Sequence, residues 1–213
     1  MGLFSFGKKN KTYFYSEKDM DAYEKMIEDH FGKYNKVIHE IISPDLHIDV
    51  IPVPPSKERN YYVLFTMGMG AYRMSVPSSY GKMNRAEMAI RLPADWDIQS
   101  NEEKWYWPIG LIKSLARLPY YEKTYLGLYH DVDFGTAFSE ETEMCGVLLD
   151  IFDKSVEPLV LESGDQVIVY NVIPIFRTEM DFKITHGAEA LLEKLGDETI
   201  HGPLNMNRKS AVQ

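Results

Sequence analysis

His130, Asp131 and Asp133 stand almost side by side, and imidazole with carboxylate is a donor set that can hold a divalent ion, with His47 and Asp49 as further ligands. Their spacing argues against a shared ion. Successive side chains of a strand point to opposite faces, so His130 and Val132 would share one face and Asp131 and Asp133 the other. A strand end with a polar turn accounts for the same residues, and no metal site is expected. Gly68-Met69-Gly70 opens like a dinucleotide-binding loop, but Arg73 takes the place of the third glycine. Glu140, Glu141 and Glu143 read as a solvated acidic loop. Cys145 lies in the apolar run MCGVLLD and reads as a buried thiol in a reducing compartment. No P-loop, nucleophile elbow, H-E-x-x-H or C-x-x-C occurs, so neither catalytic residues nor a cofactor are assigned.

The stretch Trp105 to Pro119, WYWPIGLIKSLARLP, specifies its element most completely. It reads as a buried helix begun near Pro108 and stopped by Pro119. Ile109, Leu111, Ile112, Leu115, Ala116 and Leu118 cover most of its circumference. Gly110, Lys113, Ser114 and Arg117 are left as a narrow polar strip, with both cations suited to the helix dipole.

Residues 1 to 15 read as a basic, aromatic leader. Ser16 and Asp19 then open a helix in which Met20, Tyr23, Ile27 and Phe31 repeat at helical spacing before Gly32. Lys36 to Ile42 and Leu46 to Val53 read as a strand pair joined at Ser43-Pro44-Asp45. Tyr61 to Met67 is apolar enough for a central strand. Arg85 to Leu92 alternates, with Ala86, Met88, Ile90 and Leu92 inward and Arg85, Glu87, Ala89 and Arg91 outward, the pattern of a half-buried strand. Further strands are expected near Tyr125 to Val132, at Met144 to Ile151 and at Gln166 to Ile175. Ala188, Leu191, Leu192 and Leu195 face inward from a last helix closed by Gly196, and the remainder reads as tail. Met67, Met69, Met74, Met83 and Met88 read as filling for an irregular core, or as a surface that repacks around partners.

With 213 residues, 45% of them apolar, the chain can bury a substantial core as one large domain or two small ones, and no linker divides it. Helices flanking a multi-stranded core make it α+β, a single domain with a central mixed β-sheet. The formal charge of −9 disfavours nucleic acid as a ligand and favours a basic protein partner. A spanning helix or signal peptide is not seen, nor is a myristoylation pattern, since Phe6 stands where Ser or Thr is wanted. A cytoplasmic protein that does not engage membranes is expected.

Six stretches in order resemble the suppressor of fused domain: HIDVIPVPPSKERNYYVLFTMGM, AEMAIRLPADW, WPIGLIKSLARLP, YLGLYHD, CGVLLD and VIPIFRTEMDFKITHGAEALLEKL. The bacterial members are closer in pattern than the animal Hedgehog-pathway regulator. The expected layout is a leader and capped helix at 1–34, the family-like domain at 35–196 and a tail at 197–213. The resemblance implies a protein-binding module without catalytic activity. In the animal regulator the domain helps clamp an extended peptide by β-strand addition between two domains, and this chain is expected to carry only the first. Bacterial relatives point to immunity against a cognate toxin, here a basic one. General regulation by partner binding and an uncharacterised hydrolase or metal-dependent enzyme are the alternatives. On this reading the partner-binding surface holds Glu87, Arg91, Tyr129, His130 and Asp131.

Overall fold

The computed structural model describes residues 12–43 and 45–212. Most of the expected leader, residues 1–11, and Pro44 of the expected turn lie outside that description. Helix α1 (Glu17–Phe31) starts as its sequence requires, the Ser16 side chain accepting the Asp19 N–H at 3.1 Å, and it stops at Gly32 with φ of 107°. Its buried residues are Tyr23 and Ile27.

The strands are β1 (Asp49–Val53), β2 (Tyr61–Met67), β3 (Arg85–Pro93), β4 (Asp131–Asp133), β5 (Gly146–Ile151), β6 (Leu159–Val160) and β7 (Gln166–Ile175). They form a mixed sheet in the order β1-β2-β3-β7-β5-β4, with β6 pairing the start of β7. Only β3 and β7 run parallel, from Arg85↔Val167 to Ala89↔Asn171. Helix α2 (Glu103–Glu122) covers one face, its Ile109, Ile112 and Leu115 packing with Leu64, Ile90, Leu149 and Val172. On the other face α1 meets Ile51, Val63, Phe65 and Phe152, while α3 (Arg177–His186) and α4 (Ala188–His201) meet Leu148, Ile173 and Ile175. The result is an α+β fold of three layers, as expected.

Because helices lie on both faces, β3 is a central strand, buried from Ala86 to Leu92, and not the half-buried strand its alternation implies. The alternation survives as two kinds of burial: apolar residues toward α2, polar ones toward α1 and α4. Of Lys36 to Ile42, only Ile38 bridges to the sheet, opposite Val50. The expected strand at Tyr125 to Val132 contracts to Asp131–Asp133, since Tyr129 takes a left-handed conformation with φ of 65°. Met69, Met74 and Met88 fill the α2-side core and Met67 the other side, whereas Met83 is exposed. Cys145 is buried.

Neither proline bounds α2. Pro108 and Pro119 both lie inside it, each removing one helical N–H, and packing holds the extra turn. Tyr120 meets Tyr13 and Tyr72 edge-on, and the Tyr121 hydroxyl donates to Asp45. Lys113 and Arg117 are therefore not at a helix end, and the strip they share with Ser114 is covered only in part: Arg117 bonds Glu40 at 2.6 Å and Asp45 at 3.4 Å. Gly196, expected as a stop, bends α4 at φ of 70°, and the helix runs on to His201. The segment after it is docked, with Leu204 buried and Arg208 paired at 2.6 Å to the fully buried Glu179. Among the described residues no helix is long and apolar enough to cross a membrane.

Leu115 is fully buried at the α2–sheet interface, whereas Ser114 faces solvent. Leu115→Ala should cost about 2–5 kcal/mol in chemical denaturation and Ser114→Ala about 0.5 kcal/mol or less.

Candidate protein-binding site

The five expected partner-binding residues divide into two inside the molecule and three on it. Glu87 has no exposed surface. Its Oε1 accepts N–H bonds from Gly68 at 2.9 Å and Gly70 at 3.0 Å and the Tyr15 hydroxyl at 2.8 Å; its Oε2 accepts the Thr66 hydroxyl at 2.6 Å. Burial is the strongest influence on this carboxyl and pushes it up to about 7, against the pull of those four donors. Arg91 is 8% exposed and equally committed. Its guanidinium bonds Asn171 Oδ1 at 2.7 Å and the Phe152 carbonyl at 3.0 Å, and lies 3.9 Å from the Phe152 ring centre. Neither residue can reach a partner's surface, which corrects their expected outward placement: α1, α4 and residues 12–15 cover the face they occupy.

Tyr129, His130 and Asp131 lie at the end of the sheet. The Tyr129 N–H donates to the Leu149 carbonyl at 2.8 Å, the Leu149 N–H to the His130 carbonyl at 2.9 Å, and the Phe134 N–H to the Cys145 carbonyl at 2.9 Å. With a ladder period of two, residues 130, 132 and 134 turn their main chain toward β5, and Asp131 and Asp133 turn theirs to the open side. Side chains alternate as expected. Asp131 pairs with Lys183 and Asp133 with Arg177, both across to α3, while the His130 ring meets Tyr125 at 4.9 Å on the opposite face. Partial burial is the first cause that lowers the His130 pKa, and Lys183 the second. The carboxylates are thus occupied by cations, and among the described residues no three His, Cys, Asp or Glu side chains converge as metal ligands.

The two ends of the sheet differ. At β1, Ile38 bridges Val50 on the outer side; no described residue pairs with the outer side of β4. Edge strands that stay open are templates for another chain.

Residues 44–209 match the family model of the suppressor of fused protein. The chain belongs to the suppressor of fused family. It is 24% identical over 206 residues to an uncharacterised protein of Ureaplasma parvum serovar 3, covering 95% of this chain and all of that one. Its fold is similar to that of a suppressor of fused homologue from Neisseria gonorrhoeae, with a TM-score of 0.64 at 19% identity over 93% of this chain and 99% of the other. It is also similar to a chain of a Sufu–Fu complex, at 0.65 and 14% identity over 94% and 93% of the two chains. Drosophila Suppressor of Fused matches at 0.55 and 11% identity, over 88% of this chain and half of that one.

In this suppressor of fused domain the structure also assembles a constellation that sequence reasoning missed. The Ser43 hydroxyl lies 2.8 Å from His47 Nδ1, and His47 Nε2 lies 3.1 Å from Asp49 Oδ1. The contacts resemble a nucleophile, base and orienting acid in sequence. The hydroxyl, however, donates its one proton to Glu40 Oε2 at 2.7 Å, and Asp49 also accepts the Glu40 N–H at 2.8 Å and faces His39 Nδ1 at 3.0 Å. Through Glu40 the group is tied to Arg117. It clasps the 39–49 loop to α2, and Pro44, next after Ser43, has no N–H to offer an oxyanion. The alternating His47 and Asp49, four and six residues after Ser43, were the available signal.

A raised Glu87 pKa has a definite sign for stability. The folded protein holds a proton there that the unfolded chain loses above about 4.5, so this contribution is full below that pH and is lost as pH rises through about 7. The Glu87→Gln variant lacks this slope. Between pH 4.5 and 8 its unfolding free energy relative to the parent should rise by roughly 3 kcal/mol, measured by urea denaturation at each pH.

Proposed function

We propose that this domain is a non-catalytic protein-binding module that takes up an extended segment of its partner along the open side of β4. The carrying observation is that outer edge: Asp131 and Asp133 present main-chain groups that no described strand satisfies. Tyr129 and His130, both half-buried, flank it and can contribute side-chain contacts. A suppressor of fused homologue in a complex with Fu gives the family a precedent for protein binding. Stoichiometric capture of a basic toxin by an immunity-type inhibitor is the finer reading; its support is the formal charge of −9, which would steer such a partner.

The test separates main chain from side chain. Asp133→Pro removes an outward N–H and leaves the β4–β5 ladder, whereas Asp133→Ala keeps that N–H and removes the carboxylate. Against a partner isolated by affinity capture from the native host, calorimetry should show roughly tenfold weaker binding for the proline variant and an alanine variant close to the parent. Equal affinity in both folded variants would move the site elsewhere, and turnover of a substrate by the purified protein would overthrow the binding reading.

A further inference from the structure

The parallel pairing of β3 and β7 ends at Ala89↔Asn171, and beyond it the segment following α4 enters between the two strands. The Leu204 N–H donates to the Arg91 carbonyl at 2.9 Å, and the Arg208 guanidinium donates to the Pro174 carbonyl at 2.8 Å. This insertion shapes two clefts, of about 670 Å³ and about 580 Å³. Both are bounded by Glu141, Met206, Asn207 and Arg208, so they form one trough. Trp96 and Trp105 stand at one end and Phe176 at the other.

The charges along the trough are unbalanced. Arg91 is committed to Asn171 and two carbonyls, Arg177 to Asp133 and Arg208 to Glu179. Lys209 is the remaining lining cation among the described residues. Facing it are Asp95, Glu140, Glu141, Glu143 and Glu198, all exposed, and none has a cation within ion-pair distance among the described residues. A concave wall with five unpaired carboxylates against one unpaired lysine favours cations and disfavours phosphate. The elongated shape and the indole surface of Trp105 suit an extended chain with an apolar side chain, not a compact ligand.

From the trough and its charge we infer that it binds an extended, lysine- or arginine-bearing segment of a protein partner, the cations against Glu140, Glu141 and Glu143 and an apolar residue against Trp105. The inference rests on the binding-module reading and names the chemistry of the partner, at a surface distinct from the β4 edge.

The probe is a short fluorescent peptide of lysine, leucine and serine, compared by anisotropy with the same peptide carrying glutamate in place of lysine. The full chain should bind the first, more weakly as salt rises, and not the second. Combined Glu140→Lys, Glu141→Lys and Glu143→Lys should weaken binding roughly tenfold or more, three exposed pairs being lost. Combined Glu17→Lys, Asp21→Lys and Glu28→Lys changes net charge equally on α1 and should leave the affinity near that of the parent. Trp105→Ala should weaken the leucine-bearing peptide more than an all-serine one, and Asp131→Pro, which removes an outward N–H of β4 and leaves the Asp133–Arg177 pair in place, should leave peptide binding unchanged, so a failed β4 edge and a failed trough are told apart. Equal loss in the two triple variants would reduce the effect to net charge and overturn the proposal, as would no binding. Dimerisation abolished only by the Glu140–Glu143 reversals would assign the trough to a second copy and overturn it too.

Discussion

A carboxylate placed in the middle of the sheet constrains everything around it. Glu87 sits on the central strand with no exposed surface and takes its four donors from three other segments: Thr66 of β2, Gly68 and Gly70 just beyond it, and Tyr15 ahead of α1. An unsatisfied buried carboxylate would cost several kcal/mol, so those segments must arrive together. The glycines are part of the same requirement. Gly68 has φ of 130° and a Cβ there would lie 1.9 Å from the His47 carbonyl oxygen; at Gly70 it would lie 1.8 Å from the Tyr15 hydroxyl. Gly68-Met69-Gly70 is thus a cradle for an internal anion, and its likeness to a dinucleotide loop has this physical basis. The Thr66 hydroxyl can donate to the carboxylate or accept from the protonated acid, which lets the site hold either state.

A second buried carboxylate plays the corresponding part at the other end of the chain. Glu179 receives Arg208 through both oxygens and the Ala211 N–H at 2.9 Å, and its Oε2 accepts the Phe176 N–H at 2.8 Å at the start of α3. The segment after α4 is thereby held in the gap between β3 and β7. Two internal glutamates therefore dock the polypeptide preceding α1 and following α4, and each works by the cost of leaving its oxygens unpaired.

Periodicity made the layers legible. The apolar circumference of α2, the Ser16 cap and the continuous runs of β2 and β7 each reflect burial that a linear pattern records directly. Charge was not legible in the same way. Glu87 and Arg91 alternate with apolar neighbours as outward residues do, and only the long-range arrival of Tyr15 and Asn171 makes them internal. The prolines of α2 and Gly196 of α4 failed as stops for the same reason: Tyr120, Tyr121 and Ile200 are packed by residues far away in sequence. At Tyr129–Asp131 the polar residues were found but their strand was drawn too long, because a left-handed tyrosine leaves no compositional mark.

Among the described residues the buried polar groups of the centre hold the frame while the outer side of β4 has no pairing strand, and on the proposed reading that edge is where a partner binds. Hydrogen exchange of the full chain with and without its affinity-captured partner tests this division most directly. The amides of Asp131 and Asp133 should exchange quickly in the free protein and slow on binding, while those of Gly68 and Gly70, already bonded to Glu87, should be slow in both states. Protection confined to β1 and α1, with Asp131 and Asp133 unchanged, would contradict the account.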